Sequence, residues 1–221
     1  MQNQMGLVLT KKNSQSLKHI VLDNVIGKIM CIVEARDERK VFQGALISYN
    51  VVVQRNGNHM LAQVEVIGLP FEWARHDIVF LHQIFELLYH FIPIGSGPVP
   101  VLDLIQFLYR DESKLLLDSP FKKKLLLCKL FIIIGVQPED SRFDSPFFHM
   151  ISAVPIDLLV QSDLQLISAC AANHRELDQW LMHCIASHPY AHYFKTIKFF
   201  SGSSCTHSLK VVTAMQLLVK K

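Results

Sequence analysis

The chain has 221 residues, half of them hydrophobic and 19% charged, with nine glycines and nine prolines. That composition excludes a disordered or fibrous polymer and suits one large domain or two small ones around a sizeable core. The formal net charge is +3, and the whole excess lies in residues 1–68, where eight Lys and Arg stand against five Asp and Glu. A local excess of this kind points to an anionic partner for the N-terminal part.

Five cysteines are scattered, odd in number and never spaced as CxxC, which argues against a disulfide framework and for a reducing compartment. The first twenty residues carry Lys11, Lys12 and Lys18 in place of a secretory apolar stretch. The longest apolar run, Leu125 to Val136, is interrupted by Lys129 and is too short to cross a bilayer. A soluble cytoplasmic protein is expected.

Taken in chain order, the apolar spacing changes at Gly68-Leu69-Pro70, from every second residue to every third and fourth, the change from strand to helix. Strands are predicted at Met5 to Thr10, Lys18 to Asp23, Lys28 to Glu34, within Phe42 to Gln54, and at His59 to Ile67. Asn24 to Gly27 reads as a turn and Ala35 to Lys40 as a charged loop. Asn56-Gly57 between β-rich runs is a tight-hairpin signal, because both residues tolerate positive φ. Five short antiparallel strands suit a small closed barrel, of which the OB fold is the commonest five-stranded form.

Beyond the change of rhythm, one helix is predicted over Phe71 to Phe91 and a second over Val101 to Tyr109. Pro120 opens a third, which runs to about Ile134 with Gly135 as its C-cap. Val136 to Pro155 reads as irregular. Helices are then expected at Asp157 to Ala172, at Arg175 to Ser187 and within Tyr193 to Phe200, followed by a Ser-Gly linker and a final amphipathic helix or tail from His207. The fold class is therefore α+β: a five-stranded barrel over residues 1–70, a mainly helical domain over 71–200, and a linker and tail over 201–221.

No Walker loop, GxGxxG, GxSxG or HExxH is present, and no residue stands out as a catalyst. Cys184, His188 and His192 share a spacing of four, but Pro189 interrupts the helical face, and neither a metal nor another cofactor is expected. The basic residues carry the better signal. Lys11 and Lys12 follow the first strand, Lys18 begins the second, Lys28 follows the next turn, and Arg36, Arg39 and Lys40 lie in the charged loop. On one face of a barrel they would track phosphates, with Phe42, Tyr49 and His59 as candidate stacking groups and the core as the alternative for Phe42 and Tyr49. Lys122, Lys123 and Lys124 open the third helix, where they oppose the macrodipole, so the cluster reads either as a site for an anionic partner or as a solvated face.

The stretches GLVLTKKN and KHIVLDNVIGKIMCIVEARDERKVFQGALISYN resemble the N-terminal barrel of the bacterial RecO family of recombination mediators. FLHQIFELL, FKKKLLLCKLFIIIGVQP and HYFKTIKFF are similar to that family's later helices. Residues 137–169 lack the four-cysteine zinc site that many members carry, and the loop Ala35 to Lys40 lacks the usual leading glycine. The resemblance implies a non-enzymatic, nucleoid-associated protein that binds single- and double-stranded DNA and promotes annealing. It also implies partners: RecR, and the acidic, Phe-ended tail of single-strand-binding protein, from whose coated strands it helps load recombinase. The DNA contacts would be Lys11, Lys12, Lys18, Lys28, Arg36, Arg39 and Lys40. A tail pocket would involve Lys122, Lys123, Lys124 and Lys129. The alternative is a protein-interaction module of the same fold with little DNA binding.

Overall fold

Leu7-Val8-Leu9 and Ile20-Val21-Leu22 are unbroken apolar runs, and both are buried on both faces. The computed structural model describes residues 4–13, 16–110, 113, 117–138, 146–155, 174–189 and 191–195. Its five strands are β1 (Gln4–Asn13), β2 (Ser16–Asp23), β3 (Gly27–Val33), β4 (Leu46–Val53) and β5 (His59–Gly68). They close into a barrel in the order β1-β2-β3-β5-β4. All neighbours are antiparallel except β3 and β5, which are parallel, with Cys31 opposite His59 and Val33 opposite Leu61. The expected all-antiparallel arrangement is corrected at this one seam: β5 returns by a hairpin from β4 and so must run alongside β3 in the same direction.

Val8, Val21, Ile29, Cys31, Val33, Ile47, Tyr49, Leu61 and Val64 fill the barrel. The alternate residues Leu7, Leu9, Ile20, Leu22 and Leu46 point outwards, into the same core as the helices. Hence the first two strands read as continuous apolar runs: each has one face in the barrel and the other under the helical body.

The described helices are α1 (Phe71–His76), α2 (Ile78–Phe91), α3 (Leu102–Leu108), α4 (Pro120–Ile133), α5 (Pro146–Ala153) and α6 (His174–Ser187). The single helix expected over Phe71 to Phe91 is broken at Asp77, whose φ of −152° is extended and whose Oδ1 accepts from Phe80 N at 2.9 Å. An N-cap inside an apolar run ends one helix and starts the next, which spacing alone does not reveal. The segment read as irregular contains α5. Helix α4 starts with Pro120 in its first turn and ends in a Schellman turn, with Gly135 at φ +75°, Gly135 N donating to Ile132 O and Val136 N to Phe131 O. Phe91, Phe131, Trp180, Phe148 and Phe194 interlock through ring centroids 5.0–6.0 Å apart and hold α2, α4, α5 and α6 together. The expected helix at 157–172, the linker and the final helix lie outside the described residues.

Candidate nucleic-acid interface

Strand direction decides which cations meet. β1 and β3 run towards one end of the barrel, and β2 starts there, because it is antiparallel to both. Lys11 and Lys12 lie on the last part of β1, with Lys11 opposite His19. Lys18 is exposed near the start of β2, opposite Ile32, two residues before β3 gives way to the loop carrying Arg36, Arg39 and Lys40. Six expected cations are thus brought to one end, beside three acids, Glu34, Asp37 and Glu38.

Lys28 is not among them. It begins β3 at the opposite end and is 4% exposed. Its Nζ donates to the carbonyls of Tyr89 and, at 2.8 Å, Ile92, and stands 4.7 Å from the centre of the Tyr89 ring. These are carbonyls at the C-terminal end of α2, which no helical N–H satisfies. Burial pulls the ammonium down to about 8. The placement corrects the expectation: Lys28 is a joint between barrel and helices and faces away from solvent.

The loop between β3 and β4 sorts its charges. Asp37 is 3% exposed; its Oδ2 accepts from Val64 N at 3.0 Å and its Oδ1 from Lys40 Nζ at 2.7 Å. Lys40 Nζ also donates to Val64 O at 2.8 Å. The two side chains therefore satisfy both backbone groups of Val64. That residue follows a bulge at Gln63 (φ +54°), where the β4–β5 register shifts and no rung pairs it. The hydrogen bond from Lys40 holds the Asp37 carboxyl below its usual range. Glu38, on a 3-10 turn (Glu38–Lys40), meets Nε2 of fully buried His19 at 3.2 Å. Arg36 and Arg39 lie exposed, with Arg36 paired to Glu34 at 2.8 Å.

Tyr49 is corrected as a stacking candidate: it is 1% exposed inside the barrel, with its hydroxyl donating to Asp23 at 2.6 Å. Phe42 is 41% exposed and His59 half-buried. Across the outer sheet surface Lys18, Ile32, Met60 and Val52 are successive cross-strand partners. This row was hidden in the sequence because strand order, not spacing, assembles it.

The second basic cluster is also accounted for within the fold. Lys122 pairs with Asp118 at 3.1 Å, Lys123 with Asp77 at 2.5 Å, and Lys124 with Asp178 on α6 at 2.5 Å. Lys129 donates to the carbonyls of Ile151 and Ser152 at the end of α5. The expectation that stability leaves this cluster unexplained is corrected, since Lys123 and Lys124 tie α4 to the cap of α2 and to α6. Burial alone would raise the Asp77 carboxyl, but hydrogen bonds from Lys123 and Phe80 N outweigh it and leave it below its usual value.

A cleft of about 350 Å³ lies between the ends of α4 and α6, lined by Val136, Gln137, His183, Cys184 and His188 among others. Burial raises the Cys184 thiol and lowers His188, the reverse of a nucleophile and its base. Among the described residues no three His, Cys, Asp or Glu are placed to hold a metal, and no helix is long and apolar enough to cross a membrane. No protein-family model matches the chain, and no curated protein matches it.

Proposed function

We propose that the chain is a DNA-binding recombination mediator of the RecO type, built on an OB-like barrel. The observation that carries this reading is the convergence of Lys11, Lys12, Lys18, Arg36 and Arg39 at one end of a closed five-stranded barrel. OB barrels take oligonucleotides on the face of their second and third strands and on the loops around it. Here that face carries Lys18 and Ile32, continued by Met60 on β5, while Arg36 and Arg39 lie in the adjoining β3–β4 loop and Lys11 and Lys12 on the last part of β1. Single- and double-stranded DNA share the phosphates this end would bind, which fits a protein that anneals strands. RecR and the tail of single-strand-binding protein are the proposed protein partners. For the tail, Lys122 is the contact of choice among Lys122 to Lys124 and Lys129. Its Asp118 partner is 64% exposed, so the pair is weak and an incoming carboxylate competes for it.

The test is fluorescence anisotropy of a labelled single-stranded oligonucleotide across a salt series. Binding is expected to weaken with salt, with a log–log slope of about −0.7 per phosphate contact. Exchanging Lys18, Arg36 and Arg39 together for Glu is expected to cost at least about tenfold in affinity and to flatten the slope. Lys28→Met is expected to leave the slope unchanged. Absence of binding at low salt rejects the reading. The second reading, a protein-interaction module with little DNA binding, is favoured by one observation: the ammonium groups of Lys28, Lys40, Lys123, Lys124 and Lys129 are engaged inside the molecule.

A further inference from the structure

By charge alone the acids of the β3–β4 loop would dilute its cations, but their placement gives them a different role. Asp37 and Glu38 turn inwards, one onto Val64 beside the β5 bulge and one onto buried His19 of β2, while Arg36 and Arg39, which flank them, face solvent. The loop is therefore fastened at two points on two different strands. His19 Nε2 meets both carboxylate oxygens of Glu38, at 3.2 and 3.3 Å, while its Nδ1 is buried with no hydrogen-bond partner. An N–H so buried would be costly, so the ring proton belongs on Nε2, which donates to Glu38.

We infer that Asp37, Glu38 and His19 are positioning residues, which fix the 34–40 loop so that Arg36 and Arg39 form a ready-made phosphate contact. The inference rests on the DNA-binding reading above and adds to it a division of labour within one loop. A loop fixed before binding spends less free energy on ordering its side chains when the ligand arrives. Glu34 extends the same logic to Arg36, whose Nε and one terminal nitrogen both meet Glu34 Oε2 at 2.8 Å.

The test turns on sign. Removing an acid beside a phosphate-binding surface, by charge alone, tightens binding. Positioning requires the opposite for Glu38→Ala, a loss of about threefold to tenfold in oligonucleotide affinity at fixed salt. Glu38→Gln keeps an oxygen for His19 and loses the charge, so it is expected to bind at least as tightly as the unaltered protein. Glu38→Asp keeps the charge but is one methylene short of His19, and is expected to bind more weakly; it also stands in for Glu38→Ala should that variant fail to fold. Unchanged or tighter binding by the Ala and Asp variants overturns the inference, as does an equal loss in the Gln variant. The two readings fail differently. If the unaltered protein binds no oligonucleotide, the DNA reading falls and takes this inference with it. If it binds and the Glu38 series follows charge alone, only the positioning role falls.

Discussion

Lys28 shows how a single residue changes meaning once its surroundings are known. In sequence it is one more cation after a turn. In the fold it closes the C-terminal end of α2 by donating to the carbonyls of Tyr89 and Ile92. Lys28→Met is expected to cost about 2–4 kcal/mol in urea unfolding, because a buried and a partly buried carbonyl lose their donor. The pH dependence follows from the lowered ammonium. Between about 8 and the unfolded value near 10.5, the unfolded chain binds more protons than the folded one, so stability rises with pH across that window. Lys28→Met is expected to lose that rise, measured as urea midpoints at pH 8 and pH 10. Asp37 works in the other direction. Its carboxyl is held low, so its contribution is present above the usual carboxylate range and is lost as the pH falls through the folded value. Asp37→Asn is expected to make the acid limb of the stability profile shallower.

At the scale of elements, the turn between β2 and β3 and the lysine cluster on α4 do comparable work. Gly27 has φ +88°, and a Cβ there would stand 1.9 Å from Gly97 O, in the loop after α2. Gly27→Ala therefore combines left-handed strain of about 1–3 kcal/mol with a backbone clash, and a fall in melting temperature of more than about 5 °C is expected. Asp77 caps α2 and also receives Lys123 from α4. Asp77→Ala is expected to cost more than the roughly 1 kcal/mol of a cap alone, because it also strands the Lys123 ammonium, 15% exposed. The double variant Asp77→Ala with Lys123→Met should recover part of the loss, which a double-mutant cycle in urea measures.

Considered as a whole molecule, the outer face of the barrel and the helices share one core, beside the separate one inside the barrel. Leu7, Leu9, Ile20, Leu22 and Leu46 leave the barrel surface to join it. Five such side chains at about 1.5–3 kcal/mol each come to the order of 10 kcal/mol, as large as the entire stability of a small domain. Residues 1–70 expressed alone are expected to aggregate or to lack fixed tertiary structure; dispersed amide proton shifts in a soluble fragment would refute this.

Much of this was legible in the sequence. The change of period at Gly68 to Pro70 marked where strands end and helices begin. Asn56-Gly57 marked the hairpin, and Pro120 and Gly135 bracketed α4. Each is a local signal: side-chain period, a residue tolerant of positive φ, a ring that fits a first turn. The break at Asp77 was missed because the apolar spacing continues on both sides of it. The parallel seam of β3 with β5, the burial of Lys28 and Tyr49, and the pairing of Lys123, Lys124 and Lys129 depend on residues far apart in the chain. A charge in a sequence carries no mark of its counter-ion. The sequence by itself determined the elements, their order and the pool of cations in the N-terminal part. Only the tertiary structure decided which of those cations meet at the end of the barrel and which are consumed in holding the molecule together. Barrel closure and helix packing set those distances, and electrostatic partnership depends on distance and burial, not on order along the chain.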